Sequence, residues 1–422
     1  MAKSSLPSAF WAIWAGQLVS NFATQVCLYS LGLHFLQQNG RLSSLASIAI
    51  TIQLAKVLTL PLLGRYLEAL TPKMVMIIAN IVRSMAMLGI LILMSNKVVT
   101  FAQLMPLVIL AAAAEVTLVI TFTALLDQLV PSESLPKAVG IAISSDGLAT
   151  QSAPFLGAIT ISVAGLLGIG VINAISFVLA FALLALTAFP VTVPSLAHAG
   201  QAGQRGARKS LRLIWEVGST RVLLLHSMAT AALLASIEIL FPAWVLAHMG
   251  FVRLNFALIM VLLGYVIGLY LWSALNLSRR PLLVLGAECA QSIVLIGAGL
   301  RVFQDFYFVW LAGVLAYSIA IPIVCSAQQF QWQLNLPQQS RAKYLAALNS
   351  VVWISRIAAF VLVGFVVDRL LIYASVWLSS PGWLQIAIGA DPGRPIAMAL
   401  CGLGLLQAVE IVLMGRRLRV DS

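Results

Sequence analysis

A dozen apolar stretches, nearly free of charge, follow one another along this chain and leave it few ways to fold. They fall at 10–36, 44–64, 74–95, 101–129, 138–162, 166–189, 222–247, 254–275, 281–300, 305–333, 343–370 and 395–415. A helix rises ~1.5 Å per residue, so about 20 residues span the ~30 Å hydrocarbon core of a bilayer. Within hydrocarbon every backbone N–H and C=O must find its partner inside the structure, and a helix does so within one segment. The pattern therefore predicts an all-α integral membrane protein with twelve transmembrane helices.

Composition excludes the soluble alternative. Hydrophobic residues make up 61% of the chain and charged residues 9%, against about 25% charged in soluble domains. The formal charge of +12 raises the question of nucleic acid, but the basic residues stand between apolar stretches rather than on one face. They are read as orientation signals, and no nucleic-acid partner is expected. With the N-terminus inside, sixteen Lys and Arg collect on the inner side, among them Lys3, Arg65, Lys73, Lys137, Arg205, Arg208, Lys209, Arg280, Arg341, Arg416 and Arg417. Only Arg41, Lys97, Arg253, Arg301, Arg369 and Arg394 fall outside. This asymmetry predicts a multi-pass protein of a bacterial plasma membrane with both termini cytoplasmic, in contact with membrane lipids and monomeric. The stretch starting near Phe10 is too long for a signal-peptide core and is expected to stay as the first span.

The longest polar interval, 190–220, holds Pro194, Gly200, Gly203, Gly206 and the basic residues Arg205, Arg208, Lys209 and Arg212. It predicts a bundle over 1–189, a cytoplasmic linker over 190–220 and a second bundle over 221–422. An internal repeat supports two halves. Pro131, Ser134 and Lys137 recur as Pro337, Ser340 and Lys343, each copy just before the fifth helix of its half. Paired six-helix bundles are a transporter architecture with the substrate site near the midplane.

Several segments, taken in order, resemble the major facilitator superfamily, in its bacterial macrolide-efflux and siderophore-exporter branch. They are Gly16-Gln17-Leu18-Val19-Ser20, Val130-Pro131 through Lys137-Ala138, Asn173-Ala174-Ile175-Ser176-Phe177, Leu336-Pro337 with Arg341, Gly364-Phe365-Val366-Val367-Asp368-Arg369, and Gly389-Ala390-Asp391-Pro392-Gly393-Arg394. The resemblance implies the major facilitator fold, two six-helix bundles with helices one, four, seven and ten lining a central cavity. It also implies secondary transport by alternating access. Two departures stand out. The loop between helices two and three reads Gly64-Arg65-Tyr66-Leu67-Glu68-Ala69, where Glu68 keeps the acid of the family pattern and Ala69 loses its arginine. Helix five carries Ala153-Pro154-Phe155-Leu156-Gly157-Ala158 where exporters often have Gly-Pro-x-x-Gly-Gly.

Charges inside membrane segments cost a few kcal/mol and are functional candidates by default. Those noted within the spans are Lys56, Arg83, Glu115, Asp146, Glu238, Glu288 and Arg356. Depth from the cytoplasmic ends sorts Lys56, Arg83 and Asp146 into one inner cluster at roughly 12–13 Å, and Glu115, Glu238 and Arg356 into an outer group at roughly 20–24 Å. The inner three, Arg356 and Glu68 are the gating and ion-pair candidates. A carboxylate in a partly dry cavity holds a proton more readily, which makes Glu115 and Glu238 the candidates for proton coupling. Gln17, Asn21 and Gln25 recur every four residues and form one polar stripe on the first helix. With Thr230, Gln328 and Gln329 they are the candidates for the substrate-cavity wall. Interhelical packing is the competing reading for all of these.

No phosphate-binding loop, zinc-protease motif or nucleophile elbow occurs in the chain, so neither ATP-driven pumping nor enzymatic catalysis is expected. Cys27, Cys289, Cys325 and Cys401 lack metal-site spacing, and neither cofactor nor metal is called for. The expected function is proton-coupled efflux of an amphipathic small molecule, macrolide-, peptide- or siderophore-like. The alternatives are a lysophospholipid flippase-like transporter and a non-transporting membrane scaffold or sensor.

Overall fold

Wherever the chain is described it is almost entirely helical, and glycine marks several of the breaks. A computed structural model describes residues 6–67, 70–95, 100–131, 134–187, 215–216, 218–277, 280–298, 306–336, 341–367, 369 and 394–418, though not every side chain within them. In chain order the helices are α1 (Ser8–Asn39), α2 (Leu42–Leu67), α3 (Pro72–Ser95), α4 (Phe101–Leu129), α5 (135–164) and α6 (166–186). The second half supplies α7 (218–249), α8 (251–274), α9 (Pro281–Ala298), α10 (Tyr307–Asn335), α11 (Arg341–Val361) and α12 (Arg394–Leu418). Gly165, with φ 64°, separates α5 from α6, and Gly250, with φ 79°, separates α7 from α8. Any other residue would be strained by about 1 kcal/mol or more in that left-handed region.

Ten of these helices are long and apolar enough to cross a membrane. Among the described residues α1 is not one of them, because the stripe Gln17, Asn21 and Gln25 lowers its mean hydropathy; most side chains of α5 lie outside the described residues. The burial pattern of α3 shows what surrounds such helices. Val75, Met76, Ala79, Arg83, Ala86, Met87 and Ile90 are buried along one face. Met74, Ile78, Ile81, Met85, Leu88 and Ile92 are exposed on the other. In water that second face would be polar; here it is as greasy as the core, as a lipid-facing surface must be.

Contacts divide the chain into two units, Met1–His34 with Ile48–Arg208, and Phe35–Ser47 with Lys209–Ser422. Most of the predicted linker, together with Glu68 and the interval from Leu370 to Gly393, lies outside the described residues. The internal repeat is visible in the helices. α4 and α10 are each 29 residues long, and both ends are displaced by 206 positions, Phe101 to Tyr307 and Leu129 to Asn335. Each closes with the same extended C-cap, the Val130 N–H on Leu126 O and the Leu336 N–H on Trp332 O. The cores beside these caps also correspond. Leu126, Val130 and Ala138 pack in the first unit, and Trp332, Leu336 and Leu348 in the second.

Small residues set the closest helix contacts, as is usual where burying apolar surface gains little over lipid. In the first unit a Cβ on Gly157 of α5 would stand 2.8 Å from the Ser30 hydroxyl and 3.3 Å from the Val26 carbonyl of α1. The glycine kept by the modified exporter pattern is thus the point where α5 meets α1. In the second unit Gly264 and Gly268 form a Gly-x-x-x-Gly face on α8. A Cβ at Gly264 would lie 2.6 Å from Ser318 Cβ, and one at Gly268 would collide with the Ile319 carbonyl of α10. Contacts rise together in number along both helices, so α8 and α10 run parallel. Gly268→Leu is expected to destabilise the protein by about 1–3 kcal/mol through overpacking. Gly286→Ala, which meets nothing within 4 Å, should leave the melting temperature unchanged. Thermal melting in detergent or nanodiscs checks both.

Candidate functional site

The polar stripe of α1 faces the interior of the first unit. Gln25 donates from Nε2 to Glu115 Oε1 of α4 at 2.9 Å, and Ser20 accepts from the guanidinium of Arg83 on α3. Asn21 is buried and Gln17 half-buried. Glu115 is 2% exposed, and the same Oε1 takes the ammonium of Lys56 from α2 at 3.2 Å. Its other oxygen, Oε2, is buried with no hydrogen-bond partner among the described residues. A carboxylate so placed has one oxygen saturated and one in want of a proton or a donor.

Lys56 and Arg83 were expected to gather around Asp146. Lys56 is engaged by Glu115, a partner not expected for it, while the Asp146 side chain, and with it the expected cluster, lies outside the described residues. The depth estimate separated Lys56 from Glu115 because α2 was taken to end at residue 64. It runs to Leu67, which moves Lys56 a further ~4–5 Å from that end, and the lysine stem reaches the rest of the way. Arg83, 1% exposed, donates to Asn80 Oδ1 at 3.0 Å and lies over the Phe177 ring of α6 at 5.2 Å from its centroid. It is close enough to Glu115 to interact with it electrostatically.

In the second unit Arg356 of α11 meets Glu238 of α7 at 2.5 Å, with the guanidinium 5.4 Å from the Phe360 ring centroid. The Glu238 side chain is 37% exposed, against 2% for that of Glu115. About two and three turns along α7 from Glu238, Thr230 accepts from Gln328 Nε2 of α10 at 2.7 Å, and Ser227 Oγ accepts from the Trp332 indole at 3.0 Å. Gln329, on the other flank of α10, is exposed. Thr230 and Gln328 are thus brought together and Gln329 is set apart.

The sequence reading missed Glu410 and the role of His226. His226 of α7 stands between Glu410 of α12, 2.8 Å from Nδ1, and Glu288 of α9, 3.2 Å from Nε2. A signal for this existed. Measured from the ends of their helices at Gly218, Pro281 and Leu418, the three residues lie at matching depths of roughly 10–12 Å. The described residues hold no group of three His, Cys, Asp or Glu arranged to bind a metal ion.

The family model of the Major Facilitator Superfamily matches residues 13–360. The chain belongs to this superfamily. Solved structures agree on the fold. The nucleoside transporter NupG aligns over 96% of this chain and 100% of its own, at 12% identity and a TM-score of 0.65. A D-xylose-proton symporter aligns over 95% and 96%, at 15% identity and 0.64. A bacterial homologue of the iron transporter ferroportin, in an inward-facing state, aligns over 97% and 98%, at 16% identity and 0.61. No curated protein sequence matches the chain. As a major facilitator protein it is built on a transporter scaffold, not an enzyme.

That scaffold carries a buried ion pair in its first unit, and the pair makes a stability prediction. Removing one partner of a buried pair costs about 3–5 kcal/mol because it strands the other charge, whereas removing both can be nearly neutral. Lys56→Met alone should therefore lower the melting temperature more than Lys56→Met combined with Glu115→Gln. Equal melting temperatures for the two variants would remove the pairing from any account of stability.

Proposed function

We propose that this major facilitator protein is a proton-coupled exporter of an amphipathic small molecule, working by alternating access as a monomer in a bacterial plasma membrane, with both termini cytoplasmic. Macrolide-, peptide- and siderophore-like compounds are the substrate classes, in line with the resemblance of its motifs to that exporter branch. Glu115 and Glu238 carry the coupling, and Gln17, Asn21, Gln25, Thr230, Gln328 and Gln329 supply amide and hydroxyl contacts. Arg83, Asp146 and Glu68 remain with Lys56 and Arg356 as gating residues.

The observation that carries this reading is Glu115. It is an acid in a dry helix bundle, held on one oxygen by Lys56 and Gln25 and unmatched on the other. A proton arriving on Glu115 cancels its attraction for Lys56 and frees the ammonium, so protonation and the link between α2 and α4 are tied together. Glu238 and Arg356 form the corresponding device in the second unit, with the acid less deeply buried.

The test uses everted membrane vesicles with an imposed pH gradient and a panel of fluorescent amphipathic compounds. Glu115→Gln and Glu238→Gln, at equal membrane abundance, should reduce gradient-driven accumulation to the level of vesicles lacking the protein. Substrate exchange without a gradient should survive. Full gradient-driven accumulation in the double variant would reject the coupling assignment.

One observation favours a second reading. A groove of about 370 Å³ on the flank of the first unit, between α3 and α6, is lined by Met85, Leu88, Leu91, Phe177 and Phe181, with Asn80 and Asn173 as its polar floor. It has the character of a lipid-chain site, which suits lysophospholipid flipping. On that reading fluorescent lysophospholipid crosses proteoliposome membranes at a rate indifferent to the proton gradient.

A further inference from the structure

Three helices of the second unit converge on one imidazole. His226 Nδ1 lies 2.8 Å from Glu410 Oε1 and Nε2 3.2 Å from Glu288 Oε1. The side chains of His226, Glu288 and Glu410 are 16%, 12% and 23% exposed. A neutral imidazole has one N–H and one lone pair. With a carboxylate on each side, a neutral ring would aim its lone pair at an anion unless that acid were itself protonated. A doubly protonated ring donates both ways, and both contacts become charge-assisted hydrogen bonds.

The charge count then leaves the cluster one unit negative, one imidazolium between two carboxylates, in surroundings that penalise net charge. Neighbouring elements offer little to cancel it. α10 contains no Asp, Glu, Lys, Arg or His. On α8, Arg253 lies over the Tyr307 ring. On α11, Arg356 is taken by Glu238, and the Arg341 and Lys343 side chains lie outside the described residues, as do those of Arg416 and Arg417 on α12. On α7 itself Arg221 is exposed against Trp215. Among the described side chains α9 and α12 add only the thiols of Cys289 and Cys401, and that of Arg394, at the far end of α12, lies outside them.

We propose that His226, Glu288 and Glu410 form a proton-binding site that holds a permanent imidazolium and takes up one further proton on a carboxylate. The site is separate from the coupling role proposed for Glu115 and Glu238 and does not depend on it. A metal ion is a poor occupant, because the two ring nitrogens point away from each other and the imidazolium already fills the space between the acids. α9 and α12 are joined independently of it, by Gln407 Nε2 on Gln291 Oε1 at 3.0 Å and the Ser292 hydroxyl on the Gly404 carbonyl at 2.7 Å. What His226 adds is α7, the helix that also carries Ser227, Thr230 and Glu238. Proton uptake removes one of the two charged acceptors that hold α7 to this platform.

The chain has four histidines, so the His226 signal can be identified by its loss in His226→Gln. Protein labelled with ¹⁵N-histidine, reconstituted in phosphatidylethanolamine–phosphatidylglycerol bilayers, should show His226 doubly protonated at neutral pH. Glu288→Gln and Glu410→Gln, each imitating a protonated acid, should leave the ring charged when made singly, and together they should turn it into a neutral ring at the same pH. Infrared difference spectra of a Glu115→Gln, Glu238→Gln background should gain a protonated-carboxyl band on mild acidification, and that band should be missing when Glu288→Gln and Glu410→Gln are added to it. A neutral His226 in the wild type overturns the proposal, and this arm needs no variant beyond the one used for assignment. So does a carboxyl band that persists unchanged once Glu288 and Glu410 are both replaced in that background. Neither readout involves transport, so failure here and failure of the exporter reading are distinguishable.

Discussion

A charge removed from water must be met by an opposite charge or a set of hydrogen bonds, and this requirement organises the polar residues of the chain. Each acid described within a membrane helix has a basic partner. Glu115 has Lys56, Glu238 has Arg356, and Glu288 and Glu410 share His226. The pairs tie α2 to α4, α7 to α11, and α7 to α9 and α12. In a medium where apolar packing is barely favoured over lipid contact, these links and the glycine contacts decide which helices sit together. Arg83 shows the same rule with no acid in direct contact among the described residues. Its donors reach Ser20 and Asn80, and its flat face covers Phe177.

The two halves share a chain path but not a set of charges. α4 and α10 match residue for residue in length and offset, with the same caps. Yet position 321, the counterpart of Glu115 at that offset, is Ile321, and α10 has no charge at all. The repeat is carried by apolar packing beside the caps and by turn glycines such as Gly40 and Gly250, both with positive φ. The ionisable groups are placed afresh in each unit. Duplication therefore accounts for the scaffold, and the chemistry has to be read from each unit separately.

Most of this scaffold was legible in the sequence, because a twenty-residue apolar run admits one solution in hydrocarbon. α4 was expected at 101–129 and spans Phe101–Leu129. There Gln103 caps the Thr100 N–H at the start, and Pro131 follows the end. The identities of the buried charges were legible for the same reason of cost. Their pairings were less so. Depth along a helix fixes one coordinate to a turn or so, and a lysine side chain covers the remaining error, so the contact of Lys56 with Glu115 was not anticipated. Glu410 was passed over because it stands near the end of its span, where a charge looks like an interfacial residue. Only the neighbouring helices show that it faces inward, on the same side as the buried Gln407 three residues earlier.

The two acid–base pairs differ most in how deeply their acids are buried, and that difference suits them to unequal tasks. The Glu115 side chain is 2% exposed and that of Lys56 17%, so opening this contact without a proton or a new donor would strand a buried carboxylate. The Glu238 side chain is 37% exposed and that of Arg356 18%, so the second pair is less deeply enclosed than the first. The first unit thus holds the element that resists change until it is chemically neutralised, and the second holds the one that yields more readily. In the proposed cycle both acids are then needed, with the larger barrier at Glu115 and the smaller at Glu238.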